Sequence, residues 1–455
     1  MKNNKENKQK KNKQKNINID WQKIFNTISI GFICACILFY GTRFTSLYLN
    51  NRKIEQENSN TLAKVVINTN YGKENFVDIG GNYYFKNQTD NNYVTYSNIL
   101  WRIIRVNADN SVVLISENPL VSLAYKEKSN FQESYLNKWL NIIPEEDNTG
   151  ILENNLNNPS KYLVKNETCI DTIDKLSNQQ CKTTYTDKYI GLMSTSDYVN
   201  AGAEESFINN NTKFYLSNTT ENNKIWYITD TNKVSYSDGT DLIGLRPVIT
   251  IKSGINLVSG NGNSNSPYSF ENEKGFLGAY VKLGEDIWRV YNTQEETINL
   301  VLNNLLEVDN NTLERIYANT GYTYDMNKWN SLAYYLNHNY LNSLTYKDII
   351  ETNNWSNGYY GADNNYDYKE ALNPTKEAYV GLLNITNIRL NNELKNYFLM
   401  TGNTKNGSLV YLASNNGTVY ATSSDEKNYI LPTITIKKEL LTKGEGTIDS
   451  PLEME

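Results

Sequence analysis

Histidine is almost missing from this 455-residue chain: His338, in "YLNHNY", is the only one. Histidine-built metal centres need several such ligands and are excluded by count. Nucleophile systems that rely on a histidine base lose their usual partner as well. His338 falls near the end of an expected helix and reads as incidental. Cysteine is nearly as scarce, with four residues. Cys34 and Cys36 sit in an apolar run, whereas Cys169 and Cys181 lie twelve positions apart in a polar stretch. An even pair in such a stretch reads as a disulfide closing a small loop. No further cysteine or histidine stands near enough in sequence to complete a metal site. Such a staple contributes roughly 3 kcal/mol at most.

Apolar residues make up only 39% of the chain and the mean hydropathy is -0.60, near the polar edge of globular composition. Large rings compensate: 35 Tyr and 7 Trp can fill a core. Acidic residues outnumber basic ones, 50 to 44, but unevenly. The first 23 residues hold eight lysines against Glu6 and Asp20, a net +6; since the whole chain carries -6, the remainder carries -12. An acidic body lacks the basic face that nucleic acid requires, so no nucleic-acid partner is expected.

The basic tail, residues 1–23, runs into "IFNTISIGFICACILFYG", residues 24–41, which has no charged residue. Its length matches the short end of what spans a bilayer, and the lysines before it place the tail inside. The expectation is an uncleaved single-pass transmembrane helix with everything downstream outside, hence a cell-membrane location. Residues 42–66 then read as a short helical juxtamembrane stalk.

Beyond the stalk the chain repeats itself. "ILWRIIRV" from Ile99 answers to "DIWRVY" from Asp286, and each precedes a turn and a second apolar run, "SVVLIS" and "TINLVL". Both read as strand, turn, strand. A helix follows in each half. In the first, Ser129 and Gln132 are spaced as a capping box ahead of Phe131, Tyr135, Trp139 and Ile143. In the second, Trp329, Leu332, Ala333 and Leu336 share a face. "YIGLMS" pairs with "YVGLLN", and "FYLS" with "YFLM". "LRPVITIKSGINLVSGNGNSNSP" pairs with "LPTITIKKELLTKGEGTIDSP". Trp101 and Trp288 are 187 positions apart, Pro247 and Pro432 are 185, and Pro267 and Pro451 are 184. So long a period implies whole domains, expected at 67–270 and 271–455.

The order of motifs in the first copy is Trp101-Arg102, Ser134, Trp139-Leu140-Asn141 and Gly244-Leu245-Arg246-Pro247. It resembles a domain family of Gram-positive extracytoplasmic proteins, distantly similar to the fold of formylglycine-generating enzyme and C-type lectins. That resemblance implies an α+β class: a transmembrane helix followed by two tandem lectin-like domains. Asn137 stands where the family would have an arginine, and Leu431 replaces the arginine of Gly-Leu-Arg-Pro in the second copy. Neither copy has a cysteine late in its domain, so no sulfatase-activating chemistry is implied.

The glycine-rich stretches "SGNGNSNSP" and "KGEGTIDSP" are followed by proline rather than a helix, which favours a domain-closing turn over a phosphate loop. In "NNWSNGYYGADNNYDY", Asp363, Asn365 and Asp367 alternate as in a calcium loop. Tyr368 and Pro374 stand where such a loop needs Gly and Glu, so an EF-hand is rejected. Trp355, Tyr359, Tyr360 and Tyr366 either form an exposed aromatic platform for a sugar ring or partner, or cover the helix beneath them. The expected protein is a non-catalytic, membrane-anchored binding or structural module for envelope glycan or a surface protein, without cofactor or metal. An envelope hydrolase using two carboxylates, or an accessory subunit of a membrane complex, remains open.

Overall fold

The computed structural model describes residues 60–455, apart from 127–129, 147–148, 274, 362–365, 392 and 405–406; before residue 60 it describes only 22–23, 25 and 38–43. Residues 1–59 and 60–455 are separate units. The second unit carries all the sheets and the core.

Among the described residues no helix is long and apolar enough to cross a membrane. Most of 24–41 lies outside the described residues, and so do most of the tail and the stalk. The run is physically marginal: it holds 18 residues interrupted by Asn26, Thr27 and Ser29, where a bilayer core asks for about 20 predominantly apolar ones. The transmembrane helix, the membrane partner and the cell-membrane location drawn from it are therefore withdrawn. The fold is α+β without them. The end of the expected stalk is also placed differently. The helix Leu62–Asn70 buries Leu62, Ala63 and Val66 against the main core.

The remaining chain folds as two halves that share a strand order, the first half's main sheet carrying in addition Phe76–Ile79, Asn82–Phe85 and Leu163–Val164. In the first half the strands Tyr268–Ser269, Tyr93–Tyr96, Ile99–Val106, Val112–Ser116, Val248–Ile251 and Ile190–Gly191 lie side by side. In the second, Tyr280–Leu283, Asp286–Thr293, Thr297–Leu302, Pro432–Lys437 and Gly381–Leu382 take the same order. Leu452 bridges Val281 in parallel, as Tyr268 pairs with Val94. Trp101 faces Val94, and Trp288 faces Val281. A register shift follows in each long strand, between Ile103 and Arg105 and between Val290 and Asn292.

A second sheet, with five strands in each half, repeats in the same way. Its order is Val234–Ser237, Ile225–Ile228, Phe214–Thr219, Ile243–Leu245, Val121–Leu123 in one half. In the other it is Val419–Ser423, Leu409–Ala413, Tyr397–Gly402, Lys427–Tyr429, Glu314–Ile316. Each contains a single parallel pairing, Phe214 with Gly244 and Tyr397 with Tyr429.

The two glycine-rich stretches are equivalent turns. Gly260 and Gly444 have φ of +91° and +88°, and a Cβ on either would come within 2 Å of the carbonyl oxygen of Pro267 or Pro451. Only glycine tolerates both the left-handed conformation and that approach. Neither turn leads into a helix, the setting a phosphate loop needs.

Local helix signals were partly misplaced. Ser129 lies outside the described residues. Asn130 accepts from the Glu133 N–H to cap a 3-10 turn, and Ser134 accepts from the Asn137 N–H to cap the helix Tyr135–Leu140. In the second half Ser331 caps the helix starting at Leu332. Trp329 precedes that helix and is 71% exposed, so it does not share its buried face. Sequence periodicity missed this because the turn before the cap continues the apolar spacing.

The halves do not have separate interiors. Their buried apolar residues form one cluster, and several side chains cross the junction. Trp139 Nε1 donates to the Thr386 carbonyl at 2.8 Å, and the Ala124 N–H donates to the Tyr360 hydroxyl at 3.1 Å. Arg389 donates to Ser122 Oγ at 2.9 Å and to the carbonyl of Gly417 at 3.2 Å. Lys138 of the first half and Lys369 of the second both pair with Glu146, at 2.9 and 3.3 Å.

Hydrogen bonding from Lys138, partly opposed by burial, holds the Glu146 carboxyl below its usual value. A depressed carboxyl contributes stability above its unfolded value and loses it as pH falls through the folded one. Wild type should therefore lose slightly more stability on acidification than Glu146→Gln. The difference should shrink in salt because the group is partly exposed. Urea midpoints at neutral and acidic pH, with and without 1 M NaCl, measure it.

Candidate functional site

A cleft of about 730 Å³ lies along the junction of the halves, within the size range of ligand pockets. The first half supplies the short helix Ile151–Asn155, which brings Asn154 and Asn155 to one wall. The second half supplies the end of the strand Asp286–Thr293, the strand Asn353–Ser356 and the turn 384–387.

The floor depends on strand alternation. Along Asn353–Ser356, Trp355 is buried while Asn354 is exposed. The Trp355 ring lies over Gly381, where a Cβ would come 2.4 Å from a ring carbon, and its Nε1 donates to the Ala378 carbonyl at 2.8 Å. Gly381 is thus required for close approach rather than for its backbone angles.

The walls are made of amides. Asn155 is fully used: it donates to the Ile151 carbonyl and to Asn292 Oδ1, and accepts from the Thr293 N–H at 2.9 Å. Asn384 Oδ1 accepts from both the N–H and the hydroxyl of Thr386, at 2.8 and 2.7 Å. Asn387 Oδ1 accepts from the Asn384 N–H at 2.7 Å. Gln294 Oε1 accepts from Thr297. In Asn384, Asn387, Gln294 and Asn292 the oxygen is engaged and the NH₂ has no partner among the described residues. Their planes are set by the protein, and each still offers two donors. Glu295, at the rim, is the only charged residue among the described lining. Burial pushes the Tyr291 hydroxyl well above its ordinary value, keeping it a neutral donor.

Of the four expected platform residues, only Trp355 reaches this cleft, and as floor. Trp355 is 4% exposed and Tyr360 fully buried. Tyr359 and Tyr366 are half-buried. The four rings present no common open surface; they cover structure beneath them. Asp363 and Asn365 of the rejected calcium pattern lie outside the described residues, and Asp367 caps the helix Tyr368–Leu372.

The motif residues of the first copy prove to be internal props. Trp101 is buried and donates to the Tyr96 carbonyl. Arg102 is held by Asn92, the Thr89 carbonyl and Glu117, with Tyr93 against its guanidinium at 3.8 Å. Asn141 donates to the Ile190 carbonyl and accepts from its N–H, stitching a strand to the helix; Asn337 does the same for Val380. A Cβ on Gly244 would meet the Lys213 carbonyl at 2.2 Å. The Pro247 carbonyl accepts from the Ser116 N–H. Arg246 donates to the Ser116 and Ile208 carbonyls and stacks on Phe214 at 4.8 Å. Burial lowers its guanidinium to about 10.

Cys169 and Cys181 form the expected disulfide. Asp171 lies close enough to make a three-residue metal-like group. Its oxygens, however, accept from the N–H groups of Lys182 and Thr183, and the two sulfurs are spent on each other. His338 is exposed and stacks on Tyr334 at 4.3 Å.

Comparison with family models, with curated proteins and with solved structures finds no match for this chain. The resemblance to lectin-like and formylglycine-generating-enzyme-like domains therefore rests on motif order alone. The cleft residues were not legible beforehand. Asn is so frequent here that Asn154, Asn292, Asn384 and Asn387 carry no local signal. Asn292, Asn384 and Asn387 come together within the second half, and Asn154 joins them because the two halves pack together.

Proposed function

We propose that this chain is a ligand-binding protein that takes a neutral, polyhydroxylated ligand, a saccharide in chemical class, in the cleft between its halves. The observation that carries the reading is the set of amides whose oxygens are fixed by the protein while their NH₂ groups remain unused. Hydroxyl groups are both donors and acceptors, and such pre-set amides match them without charge. Trp355 adds an apolar floor. Hydrolysis by a carboxylate pair needs two acids across the ligand, and Glu295 has no acidic partner among the described lining residues. The lectin-like motif order supports the same class of ligand.

The test is calorimetric titration of the full chain with neutral hexasaccharides of gluco, chito and xylo type. At least one should bind saturably. Asn387→Ala combined with Gln294→Ala should weaken it by about tenfold or more, since each lost hydrogen bond is worth about 1 kcal/mol. Binding unchanged in that variant, or no binding by any of the three, would overturn the reading.

A further inference from the structure

A second cavity, about 520 Å³, lies wholly in the first half and differs in chemistry from the cleft. Its floor holds an ion pair between Arg105 and Asp197, each side chain 15% exposed. Arg105 donates through Nε to Asn107 Oδ1 at 2.7 Å and through Nη1 to Asp197 Oδ1. Its Nη2 has no hydrogen-bond partner among the described residues. Asp197 Oδ1 also accepts from the Tyr84 hydroxyl at 2.9 Å, whereas Oδ2 accepts no hydrogen bond from the described residues. Each ion thus spends one edge on the other and keeps one edge unused.

A half-used ion pair selects its ligand by charge. A simple anion drawn to Arg105 meets the carboxylate of Asp197, and a simple cation drawn to Asp197 meets the guanidinium. A ligand carrying both charges a few ångströms apart satisfies both edges and leaves the floor neutral. Glu167 stands at the rim near enough to act on Arg105. Lys165, the other cation of the lining, holds its ammonium 4.0 Å from the Tyr189 ring.

We infer that this cavity binds a free α-amino acid, its carboxylate on Arg105 Nη2 and its ammonium on Asp197 Oδ2. Burial raises the Tyr84 hydroxyl, so it stays protonated and holds Asp197 in place. The disulfide-closed loop lends Cys169 and Cys181 to the wall. The site is independent of the cleft between the halves.

The full chain would be titrated calorimetrically with the free L-amino acids, then with the N-acetyl and C-amide derivatives of whichever binds best. One amino acid should bind saturably, and blocking either end should weaken it by about tenfold or more. Asp197→Asn should weaken it by about tenfold or more. Asn354→Ala in the other cleft should leave it unchanged. If Asp197→Asn fails to fold, the blocked derivatives on wild type still decide. Equal binding of free and blocked ligands, or no amino acid binding, would each overturn the assignment.

Discussion

Produced separately, residues 60–270 and residues 271–455 should each fail to give a cooperative unfolding transition, whereas 60–455 should unfold in one step. The expectation follows from the common cluster of buried side chains. Cutting the chain at the junction exposes Trp139, which is fully buried and donates across it, and strands the Thr386 carbonyl. It also frees Arg389, whose guanidinium reaches Ser122 in the first half and whose N–H donates to the Leu120 carbonyl there. The Tyr360 hydroxyl loses the Ala124 N–H. Small domains hold only a modest surplus of stability, too little to absorb several such losses together. Scanning calorimetry and denaturant titration on the three chains measure this. Two separate transitions in 60–455, matching those of the isolated halves, would refute a shared interior.

Trp139→Ala should cost about 3–5 kcal/mol, the range for removing a fully buried large aromatic. The ring is flanked in its helix by buried Leu136 and Leu140, so the hole cannot be filled by a solvent-facing side chain. Trp139→Phe separates the components: it keeps most of the apolar volume and loses the bond to Thr386, for about 1–3 kcal/mol. Urea midpoints with unchanged slopes give both values. If Ala and Phe cost the same, the hydrogen bond rather than the packing joins the halves at this point.

Legibility in the sequence followed the range of the interaction that decides each feature. The strand pair around "ILWRIIRV" was readable because alternation and a turn are local, and the blocks that recur there fall on equivalent strands. The disulfide was readable because only one cysteine pair stood in a polar stretch. The exposed aromatic platform was not. A run of Trp and Tyr does not say which face is covered, and packing over Gly381 and against Ala124 decides it. The membrane helix was inferred from an uncharged apolar run preceded by lysines, and no described helix has the required length and character. Both clefts are assembled from residues far apart in the chain. Asp197 meets Tyr84 across 113 positions, and Asn155 meets Asn292 across 137. No local pattern marks such encounters.

The interior common to both halves also limits what this gene can become. A module that folds alone can be copied, deleted or spliced into another reading frame, and its donor survives. Here the junction residues are reciprocal: Trp139 needs the Thr386 carbonyl, and Arg389 needs Ser122. Recombination that removes either half leaves the other with an unmet surface. The two must therefore be inherited as a pair, and compensating changes should arise across the junction more often than within either half.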